Sequence, residues 1–532
     1  MDAATLGNMN GAESLVQTLI DCGVDTCFAN PGTSEMHFVA ALDRVGGAGL
    51  DGKPRMHCVL GLFEGVVTGM ADGYARMAEK PAATLLHCGP GLANALANVH
   101  NAKRANTPMV NIVGDHATYH REHDAPLTAD VEGIARPFSH WVRGGTSSRT
   151  IAQDGAAAVQ AARTAPGQIA TLVLPANTAW ESSDGPAVPL PVPARTPPAP
   201  AQIDQAARML RAAGAKAVLL LGGPAVATLA GQQAALRIAS ATGCKLLAQG
   251  SNARFARGRG RLALERVPYF VDLAVETLKP YRAAVLAGTK APVGFFAYPN
   301  KPGTLLPPDC DVHVLARIEQ DVVAGLEALA EALGAAKSVP IPDPGPRPEA
   351  PRDAAVGPEA VARAVAALMP ENAIITDESV SFGRGFFPNT HAAPPHDWLQ
   401  ITGGAIGCGL PLAAGAAIGA PGRKVIGLQA DGSAMYTLQA LWTMAREKSD
   451  CCITILSNRK YQILLGELAG VGANPGRTAL DMMDLGNPDI GWPKLAEGMG
   501  VEATQATTMA EYCDALGSAM QRRGPMLIEL VI

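Results

Sequence analysis

The chain has 532 residues, 48% of them apolar, and a formal net charge of −5. That length exceeds what one hydrophobic core serves, so three or four domains are expected, and the apolar content is that of a folded globular protein. Lys and Arg are spread along the chain and leave no electrostatic footprint for nucleic acid; the ten cysteines lack zinc-ligand spacing, and no leader or bilayer-length apolar stretch is read, so a cytoplasmic protein without a membrane partner is expected.

Two proline-rich segments, 184–201 and 339–352, cannot hold a helix or a central strand and read as stiff, extended linkers. They divide the chain into 1–183, 202–338 and 353–532. In each part short apolar runs alternate with Ala-rich helical stretches. That is the pattern of doubly wound parallel sheets, so three α/β domains are expected.

The first segment repeats one arrangement four times. A strand over 26–29 runs into Asn30, Pro31, Gly32 and Thr33, and one over 56–60 precedes Glu64 at the head of a helix. One over 84–86 precedes His87, Gly89, Pro90 and Gly91, and one over 109–113 precedes Gly114, Asp115 and His116. Parallel strands would set all of these residues on one rim. The spacing of His116, His120 and His123 allows a metal, but a solvated or pocket-lining loop is the expected reading. In the middle segment, 217–221 leads into Gly222, Gly223, Pro224 and Ala225. The full GxGxxG pattern is missing, so a tight structural turn is expected.

The third segment opens with a strand over 374–376 that ends at Asp377, Glu378 and Ser379. Next come Gly403, Gly404, Ala405, Ile406 and Gly407, whose glycines allow close backbone approach. An apolar strand over 425–428 then meets Asp431, Gly432 and Ser433. Ala434, Leu438, Leu441, Trp442 and Ala445 keep helical spacing, and a second buried strand over 452–456 ends before Asn458. A crossover of this kind makes the two strands parallel and puts Asp431 and Asn458 at their carboxyl ends. A carboxylate and an amide oxygen there suit a magnesium ion that takes further oxygens from phosphates, and the Gly432 and Ser433 amides can face a phosphate group.

Asp431-Gly432-Ser433, with Asn458 twenty-seven positions later across strand, helix and strand, resembles the thiamine diphosphate motif of the pyruvate decarboxylase, benzoylformate decarboxylase and acetolactate synthase superfamily. Ala430 and Ser457 depart from that motif, which has Gly and Asn there. The resemblance implies Mg2+ held by Asp431, Asn458 and the main-chain carbonyl of Lys460. It also implies Ile406 wedged under the cofactor on the loop that carries Gly404, with Tyr461, Gln462 and Leu464 bordering the substrate. Glu64, in LFEGVVTGMADGYAR, matches the glutamate that bonds the cofactor's pyrimidine, making the first segment a pyrimidine-binding domain and the third a diphosphate-binding one.

Within the superfamily, NPGTSEMHFVAAL and TLLHCGPG resemble benzoylformate decarboxylase, which implies active-site roles for Thr33 and His87. APVGFFAYPNKPG offers Phe295, Phe296 and Tyr298 where that enzyme has a second active-site histidine. Gly89-Pro90-Gly91 is similar to the tight turn of acetolactate synthases, but their Arg-Phe-Asp-Asp-Arg stretch is not found, so FAD is not expected. The implied function is decarboxylation of a 2-oxo acid, carboligation through an enamine, or both. The alternative is an acetolactate synthase-like carboligase. A non-catalytic homologue draws only on Ala430 and Ser457, and Asp431, Asn458 and Glu64 stand against it. The implied assembly is a homodimer or homotetramer whose sites are shared between chains.

Overall fold

The computed structural model describes residues 9–49 and 52–532; residues 1–8 of the expected first segment and residues 50–51 lie outside the described residues. Three α/β units with parallel sheets follow one another along the chain. The first sheet has the spatial order His57–Leu60, Thr26–Ala29, Ala82–Leu86, Met109–Asp115, Ile169–Pro175, Trp141–Gly144, with every neighbouring pair parallel. Ala82–Leu86 and Ile169–Pro175 are buried along their whole length, because helices cover both faces; that is why they read as continuous apolar runs rather than alternating ones.

The second sheet runs Glu265–Arg266, Lys245–Ala248, Ala217–Leu221, Ala283–Ala287, Asp311–Ala316. The third runs Glu502–Ala506, Met526–Val531, Cys451–Ser457, Val425–Ala430, Ala373–Glu378, His396–Gln400, Phe255–Arg257. Its last strand comes from the middle segment and is antiparallel, pairing Phe255 with Trp398 and Arg257 with His396. Phe255 sits edge-on to Phe387 at 5.2 Å, so aromatic packing fixes this edge strand to the third unit. The stretch 184–199 carries no helix or strand, and Pro200 occupies the first turn of the helix Pro200–Ala213, where its missing N–H costs nothing.

Strand order decides where ligands can sit. In the first sheet the chain leaves Thr26–Ala29 toward one side and returns at Ala82–Leu86 on the other, so the switch point lies between these two strands. In the third sheet it lies between Ala373–Glu378 and Val425–Ala430. In the second sheet the strand ends at the equivalent point approach each other closely. A Cβ on Gly222 would lie 2.7 Å from the Gly288 carbonyl oxygen, and Thr289 donates to Gln249 Oε1 at 2.7 Å. That is the tight structural turn read from the sequence.

The first and third units are joined by two helices that touch backbone to backbone. On Glu64–Ala78, a Cβ at Gly73 would lie 2.1 Å from the Leu412 carbonyl oxygen; on Gly409–Gly419, one at Gly415 would lie 1.9 Å from the Met70 carbonyl oxygen. Beside this contact the buried Arg76 pairs with Asp72 at 2.6 Å and donates to the main-chain carbonyls of Gln400 at 2.7 Å and Ala253 at 3.1 Å, which ties all three units together. Among the described residues no helix is long and apolar enough to cross a membrane.

Candidate active site

At the third sheet's switch point a cleft is lined by Ile406, Asp431, Gly432, Ser433, Asn458 and Tyr461, with Lys460 and Val380 at its border. Asp431 follows the strand Val425–Ala430 directly, as the sequence requires. Its carboxylate is buried, and its two oxygens accept the N–H groups of Gly432 at 2.9 Å and Arg459 at 2.7 Å. Burial pushes the Asp431 carboxyl up, and these N–H bonds pull the other way. Asn458 Oδ1 accepts the Lys460 N–H at 3.1 Å, so the loop after Cys451–Ser457 turns on its own side chain. A Cβ on Gly432 would lie 2.4 Å from the Tyr461 ring, so a larger residue there would displace that ring from the cleft. Two residues at this cleft hold the left-handed backbone that L side chains avoid: Val380 at φ 48° and Arg459 at φ 57°. Each costs of order 1–3 kcal/mol, a strain that concentrates at functional sites.

The sequence spacing predicts one helix from Ala434 to Ala445, and the structure breaks it. Asp431–Ala434 is a single turn, and the helix resumes at Ala440–Arg446. The β-branched Thr437 lies in the break, with its hydroxyl donating to the Gly407 carbonyl at 2.8 Å.

Gly407 belongs to the loop that carries Ile406, and this loop is held from two sides. Glu378, at the end of its strand and fully buried, accepts the N–H groups of Gly407 at 2.7 Å and Gly409 at 2.7 Å, and the Gln429 amide at 2.9 Å. Burial pushes the Glu378 carboxyl up against these bonds. Gln429 also donates to Ser433 Oγ at 2.8 Å, so one buried polar chain links the Ile406 loop to the Asp431 turn. From the first unit, His100 Nε2 lies 3.2 Å from the Gly403 carbonyl oxygen, and Asn98 and Asn101 bond Gly407 and Ala405. Ile406 itself is partly exposed and outside the core. Gly404, at φ 79°, admits the Phe295 ring, whose tip would lie 2.7 Å from a Cβ there.

The first sheet's switch point holds a different set. Thr33 and His87 line one pocket with Asp115, His116 and Tyr119. Glu64 starts the helix Glu64–Ala78, is buried, and accepts the Asn94 amide at 3.0 Å. Gly91 keeps the space beside it clear, since a Cβ there would lie 3.1 Å from Glu64 Oε1 and 3.3 Å from His87 Cβ. Gly89, Pro90 and Gly91 are not a separate turn; they form the first turn of the helix Cys88–Ala105. His116, His120 and His123 form a row of rings 5.7 and 5.2 Å apart on a mostly exposed loop, and among the described residues their ligand atoms do not converge.

Glu35, His87 and Cys88 do converge, with ligand atoms within 4.8 Å of one another. Ser34 Oγ sits among them, 3.2 Å from His87 Nδ1, 3.3 Å from Cys88 Sγ and in short contact with Glu35 Oε1. The centre is therefore a hydrogen-bonded knot, and burial pushes the Cys88 thiol up to about 11, away from the thiolate that metals take. Within one chain, His87 and Thr33 line one pocket and Asp431, Asn458 and Ile406 line another, and Glu64 sits beside His87 across Gly91.

Residues 9–134 match the family model described as thiamine pyrophosphate enzyme, N-terminal TPP binding domain, and 385–530 match the corresponding C-terminal TPP binding domain. The chain belongs to the thiamine pyrophosphate enzyme family. It is 48% identical, over 98% of its length and 99% of the relative's, to the Mycobacterium tuberculosis protein named "Putative acetolactate synthase large subunit IlvX". It is 29% identical to the benzoylformate decarboxylase of Pseudomonas aeruginosa over 96% of each chain. The solved thiamine diphosphate-dependent 4-hydroxybenzoylformate decarboxylase of Rhodococcus jostii RHA1 superposes with a TM-score of 0.83 at 26% identity, covering 98% of both chains.

Two observations bear on whether this thiamine pyrophosphate enzyme's residues suit the cofactor. Among the described residues the buried Asp431 carboxylate has N–H partners and no cationic side chain, so a cation beside it would offset the burial that pushes its carboxyl up. The neighbouring donors, the Asn458 amide oxygen and the Lys460 carbonyl, are hard oxygens of the kind magnesium takes. The donor set therefore fits the group. Reading the sequence by strand ends missed Asn94, Asn98, Asn101 and Glu35, which act one layer behind. Their signal was present, since Asn94, Asn98 and Asn101 share one face of a helix at spacings of four and three.

Proposed function

We propose that the chain decarboxylates a small 2-oxo acid, releasing an aldehyde or joining the remaining fragment to a second carbonyl compound. The observation that carries this reading is the grouping of Asp431, Asn458 and Ile406 on one cleft and of Thr33 and His87, with Glu64 close by, at the opposite sheet's switch point. When bound, thiamine diphosphate supplies a carbon nucleophile and an electron sink for the bond to the leaving carboxylate. Asp431 and Asn458, with the Lys460 carbonyl, would hold Mg2+; the Gly432 and Ser433 N–H groups would face the diphosphate. Ile406 would brace the cofactor, on the loop whose Gly404 packs against Phe295. Glu64, held by Asn94, would bond the pyrimidine ring and hold a proton there. His87 would move a proton at the reacting carbon or oxygen, Thr33 would hydrogen-bond the substrate carboxylate, and Tyr461 would border the substrate.

Because the two sets border different pockets in one chain, the reading includes a homodimer or homotetramer in which a second copy brings them together. The 48% identical relative favours a second reading, condensation of two 2-oxo acids in the manner of an acetolactate synthase. A panel of 2-oxo acids tests both, with carbon dioxide, aldehyde and hydroxyketone or hydroxy-oxo acid measured separately. Aldehyde release supports the first reading, and acetolactate from pyruvate alone supports the second. No carbon dioxide from any member, with thiamine diphosphate and Mg2+ present, overturns both.

A further inference from the structure

The floor of the first unit's pocket decides which nitrogen of His87 carries its proton. Glu35 is only 1% exposed. Its Oε2 accepts the Gly32 N–H at 2.8 Å and lies 2.9 Å from His87 Nδ1, and its Oε1 lies 3.1 Å from the same nitrogen. The Ser34 hydroxyl, which donates to Glu35, lies 3.2 Å from His87 Nδ1. Both Glu35 oxygens face Nδ1, and a carboxylate has no hydrogen to give. Nδ1 must carry the hydrogen.

In the neutral ring the lone pair is then on Nε2. Among the described residues Nε2 has no hydrogen-bond partner, while the ring lines the pocket beside Thr33. The pair has no slack. A Cβ at Gly114 would lie 1.7 Å from Glu35 Oε1, and one at Gly32 would lie 2.2 Å from the His87 ring, so both glycines let the carboxylate and the imidazole close on each other.

We propose that Glu35 is a positioning residue that locks neutral His87 as the Nδ1–H tautomer and presents Nε2 as the acceptor, and once protonated the donor, of the proton moved in turnover. The role in turnover rests on the function proposed above; the tautomer does not. A proton taken up at Nε2 gives an imidazolium whose Nδ1–H still points at the Glu35 carboxylate, so neither bond has to be remade. Glu35→Gln keeps the shape and reverses the logic. Its amide oxygen can still accept the Gly32 N–H, which leaves the NH2 group to donate to Nδ1 and moves the ring hydrogen to Nε2.

The test uses the full chain labelled with 15N-histidine, with the His87 signals identified by their loss in His87→Gln. Wild type is expected to show the Nδ1–H tautomer, and Glu35→Gln the Nε2–H tautomer. With an accepted 2-oxo acid, kcat of Glu35→Gln should fall on the order of 100-fold or more while KM and thiamine diphosphate affinity stay within about threefold. Gly114→Ala, which displaces the carboxylate without changing its chemistry, should loosen the same tautomer preference if it folds. An Nε2–H tautomer in wild type, or an unchanged tautomer in Glu35→Gln, overturns the assignment whatever the activity. A switched tautomer with a rate loss of only a few-fold removes Glu35 from the reaction. Failure of the wild type to use any 2-oxo acid counts against the proposed function instead, since the tautomer is read without turnover.

Discussion

Asn101 grips Ala405 in both directions: its Nδ2 donates to the Ala405 carbonyl at 2.7 Å, and its Oδ1 accepts the Ala405 N–H at 3.3 Å. The two residues belong to different units, and Ala405 precedes Ile406 in the loop under the cleft. A side chain that is fully buried and satisfies both backbone groups of its partner fixes that loop as a sheet neighbour would. Asn101→Ala removes both bonds to the partly buried Ala405 backbone, at about 1 kcal/mol or more. The expected result is a lower thermal midpoint and thiamine diphosphate affinity weakened roughly tenfold, since about 1.4 kcal/mol of loop order corresponds to that factor. Calorimetric titration checks it. Unchanged affinity would mean that Glu378, His100, Asn98 and Thr437 order the loop without Asn101.

The seam between the units gives a prediction with a built-in control. Gly73→Ala puts a Cβ 2.1 Å from the Leu412 carbonyl oxygen and 2.9 Å from the Ala416 nitrogen, so the two helices have to separate. Overpacking of this kind costs typically 1–3 kcal/mol. Gly517, inside the helix Met509–Gln521, has open space around it, and Gly517→Ala should stabilise by about 0.5–1 kcal/mol through helix propensity. Scanning calorimetry of the two variants should move the midpoint in opposite directions.

Acid should weaken the junction of the middle and third segments. Burial first, and then the nearby Arg257, hold the His396 imidazole down to about 3, and the same two causes hold His391 down to about 4. Both rings therefore stay neutral in the fold while the unfolded chain takes up their protons near pH 6.5. Their contribution is fully present above that pH and is lost as pH falls toward the folded values. For the buried His396 the slope is about 1.4 kcal/mol per pH unit. Urea unfolding at pH 7, 6 and 5 should show this decline, and His396→Asn should flatten it. An equally steep decline in that variant would assign the acid sensitivity to other groups.

Residues that end a strand were the readable part of this site. His87 follows its apolar run directly and Glu64, Asp431 and Asn458 follow theirs within four positions, and parallel pairing alone sends them to the strand ends. What supports them was not readable in the same way. Glu35 lies in a helical turn after Thr33 and meets His87 only because Thr26–Ala29 and Ala82–Leu86 are neighbours, with Ala29 in register with Leu85. Glu378 looked like a rim residue, yet the strand extends through it and buries it beneath the Ile406 loop. The break at Thr437 was invisible because periodicity reports the buried face and not a hydroxyl recruited by a carbonyl thirty positions earlier. Phe255–Arg257 crossed from the middle segment into the third sheet because an edge strand is claimed by whatever face covers it, a tertiary fact with no local signal.

The last prediction concerns where one complete site is assembled. If a second copy brings Glu64 opposite Asp431, each site takes Glu64 from one chain and Asp431 from the other, and a twofold axis makes two such sites at once. Glu64→Gln and Asp431→Ala proteins would each be inactive, the first unable to hold the proton at the pyrimidine and the second unable to hold the cation. Mixed under conditions that exchange subunits, half of the randomly paired dimers contain one chain of each kind. In those, one site has both Glu64 and Asp431 and the other has neither, so recovery should reach up to about a quarter of wild-type activity. It should rise in step with exchange followed by native mass spectrometry. Heterodimers that form without any recovery would place Glu64 and Asp431 of one site on the same chain, and the two pockets of the single chain would then have to close on each other.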